Sequence, residues 1–321
     1  MGRSPGPPLR GVYLRPLFDQ LVPARHSAGA RVRAAQLQRF LRPLQAVASG
    51  RLPLHGDLTL SVLGSEDWRR VCRYPYGFAF TRSRATGASL AGATGPSVDI
   101  VVPADHPPRL LRRFDEVLLR AARSGVRPPS PGAAADRGPP PQRGPALVEG
   151  PAPSGDVQEL LDLIVGHEWG HAVAALAGLR LRVNWLDELL ATAIYLAALR
   201  EVGAETLAAR VLAWAEVQEA GGDDSRRDLG AFEYPRGRLR LAQSTYFQGV
   251  FTHRAWELVG GEQRQPWAFV QALHAAAAPV VRSPGAWEGG RHRGEVARAL
   301  VEVEPSFREW FATFGSGLDA S

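Results

Sequence analysis

The chain has a single cysteine, Cys72, in 321 residues. No intrachain disulfide can form, a usage that fits a reducing compartment. Methionine occurs only as Met1. Lysine is absent, and all 38 basic residues are arginine. Together with the abundant Ala, Gly and Pro, this reads as the codon usage of a GC-rich genome. The formal net charge of +6 therefore carries little weight as a nucleic-acid signal. The arginines are dispersed, with no basic run and no aromatic-interleaved patch, so no nucleic-acid partner is expected. No run of about 18 apolar residues exists, and no membrane-spanning helix is expected. The first residues lack the continuous apolar stretch of a secretory signal, so a cytoplasmic location is the expectation.

What is present is enough apolar residue, 45% of the chain, to build a sizeable core. Residues 1–50 begin Pro- and Gly-rich and continue as an amphipathic helix over 29–49, with Leu37, Leu41 and Leu44 on one face. Residues 51–124 read as a small α/β region. Strands are predicted at 58–62, 76–81 and 98–102, with helices at 66–72 and 107–124. Residues 125–155 contain PPSPG, GPPPQRGP and PAPSG, the composition of a flexible insertion. From 156 to 321 the pattern is almost all helical, with helices predicted at 156–179, 185–199, 206–220, 242–259, 267–278 and 294–314. Asp156 and Glu159 form a capping box at the first of these. The expected fold class is α+β: a small N-terminal mixed β-sheet with helices, followed by a mostly helical half.

The chemistry sits in that first helix of the helical half. His167-Glu168-Trp169-Gly170-His171 reads H-E-x-x-H. On a helix the two histidines lie one above the other, so both imidazoles can bind one metal ion from a rigid element. Glu168 projects about 100° away, placed to take a proton from water rather than to bind the metal. The donor set suits Zn²⁺ with an open position for water. The bland alternative is that His167 and His171, which share a stripe with Leu160 and Ile164, are satisfied core histidines. The next helical stretch, Trp185-Leu186-Asp187-Glu188-Leu189-Leu190-Ala191-Thr192, returns after a short connection. It offers Glu188 as a third ligand. Asp187 is the rival, and only one of the two can face the metal. Asp187 and Thr192 are candidates to orient the histidines.

HEWGH followed by WLDELLAT resembles the gluzincin zinc metallopeptidases, especially the aminopeptidase N-type branch of the thermolysin-like group. The resemblance implies a zincin catalytic module covering about residues 50–280 and hydrolysis of a peptide or protein substrate. His167, His171 and Glu188 would be the zinc ligands and Glu168 the general base and acid. Tyr246-Phe247-Gln248-Gly249, followed by a Gly-Gly-Glu turn at 260–262, resembles that branch's Y-x-K-G helix. It implies Tyr246 as the donor that steadies the oxyanion. Tyr195 is an alternative, and His253 reads as structural. The resemblance also implies that an edge strand, 76–81 or 98–102, borders the cleft. The departures are a shorter spacing to Glu188, Leu189 and Leu190 for Gly-Phe, and Gln248 for lysine. With Met1 as its only methionine, the chain has no G-x-M-E-N stretch to grip a free amine. Aminopeptidase specificity is thus not implied. The alternative reading is a catalytically silent zincin-like protein that binds or senses peptide.

Overall fold

A computed structural model describes residues 22–84, 96–126, 156–225, 227–233, 241–260, 264–282 and 290–314. The fold is α+β, a small four-stranded mixed sheet followed by helices. The strands are β1 (Ala24–His26), β2 (Asp57–Leu63), β3 (Phe80–Arg84) and β4 (Ser97–Pro103). The helices among them are α1 (Arg31–Arg51), α2 (Ser65–Val71) and α3 (Pro108–Arg123). There follow α4 (Asp156–Leu176), α5 (Asn184–Glu201), α6 (Glu205–Gly221), α7 (Leu241–Val259), α8 (Ala268–Arg282), α9 (Gly290–Val303) and α10 (Phe307–Phe314). No described helix is long and apolar enough to cross a membrane.

The sheet order is β1-β2-β4-β3, with β1, β2 and β4 parallel and β3 antiparallel to β4. Leu58, Leu60 and Val62 of β2 and Val98, Ile100 and Val102 of β4 face the main core, which also contains α1, α4 and α5. The opposite face carries Trp68 of α2 on Leu63 and Val101. That face also holds a polar contact: Ser61 donates to Asp99 at 2.8 Å, and Arg82 pairs with the other Asp99 oxygen at 2.6 Å. Both faces of the parallel strands are covered, which accounts for the run of buried residues in β4.

Three differences from the sequence expectations have local causes. β1 was not expected, because three residues at a sheet edge leave no alternation to read. It and α1 place residues 22–51 against the main core. β3 begins at Phe80 rather than 76. Tyr76 is drawn aside by a hydrogen bond to Asp105, and Gly77 turns the chain at a φ of 135°. The helix expected over 294–314 is two helices, because Pro305 lacks an N–H and starts a new turn. Ser306 at the break receives Arg254, whose guanidinium lies 4.6 Å over the Phe307 ring. Most of the 125–155 insertion and the side chains of Asp156 and Glu159 lie outside the described residues, as does most of the turn at 260–262.

Helix α5 is buried on every side, with an unbroken apolar interior from Leu189 to Leu199 except Thr192. It packs on α4 with almost no side chain between them. A Cβ at Gly170 would fall 2.0 Å from the Ala191 carbonyl oxygen, and one at Gly166 would fall 2.2 Å from the Tyr195 ring. Trp169 of α4 donates to Gln45 of α1 at 2.9 Å and ties the two helices together.

Gly170→Ala is expected to destabilise the protein by about 1–3 kcal/mol, the usual effect of overpacking a rigid contact. Gly50→Ala, in an exposed turn of α1 with open space around it, should instead stabilise by about 0.5–1 kcal/mol. Thermal or urea denaturation of the two variants reads both signs.

Candidate metal centre

His167 and His171 project from successive turns of α4, their ring centroids 4.6 Å apart and nearly perpendicular. One ligand atom from each of His167, Glu168 and His171 lies within 4.8 Å of the others. Among the described residues this is the one such group of three or more. The close approach of α4 and α5 then brings in Glu188. Its Oε2 is 3.0 Å from His167 Nε2 and 3.5 Å from His171 Nε2. The three residues that the sequence singled out as ligands therefore converge, and Glu168 lies beside them.

The hydrogen bonds around His167 decide its tautomer. Thr192 lies one turn after Glu188 on α5, and its hydroxyl donates to the Glu188 backbone carbonyl at 3.1 Å. A hydroxyl has one proton to give. With its proton on that carbonyl, it accepts from His167 Nδ1–H, 3.0 Å away. In that tautomer His167 Nε2 turns a lone pair toward a carboxylate oxygen 3.0 Å away, an arrangement that calls for a cation or a second proton between them. A zinc ion fits this demand. Two imidazole nitrogens and one carboxylate are a catalytic zinc set, and tetrahedral bonds of about 2.0–2.1 Å place ligand atoms roughly 3.3 Å apart. The separations from Glu188 fall either side of that value.

The charges are consistent with the same role. Burial pushes the Glu188 carboxyl up, but His171 first and His167 next outweigh it, and hold it well below the ordinary carboxylate range. Burial opposes charge on His171, yet Glu188 overrides it and raises the imidazole. Asp187, the rival ligand, makes no such contact. Burial pushes its carboxyl up to about 6, against the pull of His171 and Arg180. Glu188 is thus the residue that faces the histidines.

His167, Glu168 and Glu188 line one end of a cavity of about 220 Å³. Phe78, Phe114, Leu160, Ile164 and Trp214 form its apolar wall. Thr81, at the start of β3, donates to the backbone carbonyl of Glu168 at 2.6 Å and pins the sheet edge to α4. Of the two stretches expected to border the cleft, only the first does so, through Phe78 and Ala79. Residues 98–102 cannot, because β4 is paired on both sides.

Tyr246 is not in this cavity. Helix α7 turns Ser244, Thr245, Gln248 and Thr252 toward the cleft. Tyr246 sits about 200° around the helix from Gln248, and it lines a separate surface depression with Glu216, Glu219 and Arg227. The expectation that it donates to an oxyanion is corrected on that ground. Tyr195 does line the cavity, with its hydroxyl enclosed and unpartnered. Burial pushes that phenol upward, so it stays protonated. His253 bonds Glu219 at 2.6 Å and lines the second depression, outside the cleft. The residues that sequence reasoning left unassigned are Thr81 and Gln248. Thr192, a candidate from the sequence to orient the histidines, lies beside His167 Nδ1.

Thr192→Val removes the acceptor for His167 Nδ1 while preserving shape. Zinc affinity should fall about 10- to 100-fold, the usual effect of losing a histidine's orienting partner, as read by competition with a chromophoric chelator. Saturating zinc should raise the stability of the wild type by about 2.7 kcal/mol at a hundredfold excess over the dissociation constant. A chelator should reverse that rise, and His171→Ala should not show it.

Compared with known protein families, curated proteins and solved structures, the chain matches none.

Proposed function

We propose that the protein is a zinc-dependent metallopeptidase of gluzincin type, with a thermolysin-like catalytic module. The observation that carries this reading is the convergence of Glu188 from α5 on His167 and His171 of α4, with Glu168 on the wall of the same cavity. His167, His171 and Glu188 would hold the ion. Zinc in such a site serves as a Lewis acid and brings a water molecule's pKa toward neutrality.

The chain's own groups have separate tasks. Glu168 takes the proton of the attacking water and returns it to the leaving amine. Thr192, 3.0 Å from Nδ1, orients the His167 ring. The aromatic and aliphatic wall keeps bulk water out, which strengthens each electrostatic contact inside. The substrate class is a peptide or protein, and the sequence has no G-x-M-E-N stretch to tie cleavage to a free N-terminus.

The position of Tyr246 favours a second reading, a zincin-like protein that binds peptide without turnover. The tyrosine that the family resemblance assigns to the oxyanion points elsewhere, and the Tyr195 hydroxyl is enclosed.

One experiment separates the two. Zinc-loaded wild type should cleave members of a broad peptide library, and Glu168→Gln should retain zinc while losing at least about 100-fold in rate. Cleavage by Glu168→Gln at the wild-type rate would sink the proposed mechanism. Tight zinc binding with no cleavage by wild type would establish the silent reading.

A further inference from the structure

Of the polar residues that α7 sends into the cleft, Gln248 touches the metal centre directly. Its side-chain amide nitrogen lies 2.8 Å from Oε2 of Glu188. An ionised carboxylate only accepts hydrogen bonds, so the amide must present its NH₂ group here. The oxygen it meets is the same one that approaches His167 Nε2 at 3.0 Å and His171 Nε2 at 3.5 Å. Resting on the metal-centre reading above, we infer that Gln248 is a positioning residue for the third ligand.

The argument is geometric. A glutamate side chain can offer either oxygen, and either lone pair of each. Nothing on α5 itself selects among them, because the neighbouring Thr192 hydroxyl is committed to the backbone carbonyl of Glu188. The Gln248 N–H occupies one lone-pair site of Oε2 and leaves the other directed at the two imidazoles. The amide is thus a donor from a third helix that fixes which oxygen is presented and in which direction. Outer hydrogen bonds of this kind are the usual means by which a protein orients ligating carboxylates. The bond also ties α7 to α5 at the centre, so the cleft wall and the ligand set are aligned by one contact.

The probe is zinc alone, titrated into the full chain against a chromophoric chelator. Gln248→Met keeps the length of the side chain and removes the donor. Zinc should bind about 10- to 100-fold more weakly, with the near- and far-UV circular dichroism of the metal-free variant matching wild type. Gln248→Lys restores a donor at similar reach and should recover most of the affinity. Wild-type affinity in Gln248→Met would overturn the inference while leaving the metal centre intact. Weak binding by both variants would also overturn it, since packing rather than hydrogen donation would then be at work. A wild-type chain that binds no zinc would overturn both this inference and the reading on which it rests.

Discussion

The contact between α4 and α5 is the constraint from which the rest follows. Two glycines one turn apart, Gly166 and Gly170, let the helices meet backbone to ring and backbone to backbone. Any side chain there would force the helices apart, since a Cβ would fall 2.0 Å from the Ala191 carbonyl oxygen or 2.2 Å from the Tyr195 ring. The glutamate that meets the histidines is carried on one helix and the histidines on the other. Their separation is set by the backbones, not by flexible side chains. Rigid elements hold a ligand set more exactly than loops do.

Such closeness brings an electrostatic problem and its solution together. A carboxylate taken out of water is destabilised unless opposite charge or hydrogen-bond donors surround it. Glu188 is nearly enclosed, and its acidity is kept by His171 and His167 against the effect of burial. The packing of α5 on α4 thus holds one carboxylate oxygen within 3.5 Å of two imidazole nitrogens, an arrangement that a proton or a metal ion at its middle stabilises. Asp187, one residue earlier, shows the contrast. It faces no imidazole at contact distance, and burial lifts its carboxyl to about 6.

The cavity beside this centre has two characters. One wall is aromatic and aliphatic, from Phe78, Phe114, Leu160 and Trp214, and the other is the polar face of α7. That face is determined by helical phase. Residues 244, 248 and 252 recur at the helix period and point inward, whereas Tyr246 falls on the other side. A motif that matches in letters can therefore place its tyrosine away from the site when the helix is rotated. Gly249 shows what fixes that rotation, since its bare Cα lies against the Ala215 carbonyl and Glu219 of α6.

Much was legible from the chain alone. The i+4 spacing of His167 and His171 is a local property, because any α-helix brings such residues onto one face. The α+β order was readable too, from period-2 stretches at 58–62 and 98–102 followed by long helical periods. Element ends were less so. β1 is too short to carry a pattern, and the kink at Pro305 was masked by continuous apolar spacing. Three matters depended on non-local contacts. The choice of Glu188 over Asp187 rests on how α5 is rotated against α4. The exclusion of Tyr246 rests on how α7 is rotated against α6. The partnership of Thr192 with His167, and of Gln248 with Glu188, rests on three helices meeting at one point. The sequence by itself determined which residues could bind a metal, because donor chemistry and helical spacing are local. Only the tertiary structure decided which of them meet, because rotation between packed helices is set by side chains far apart in the chain.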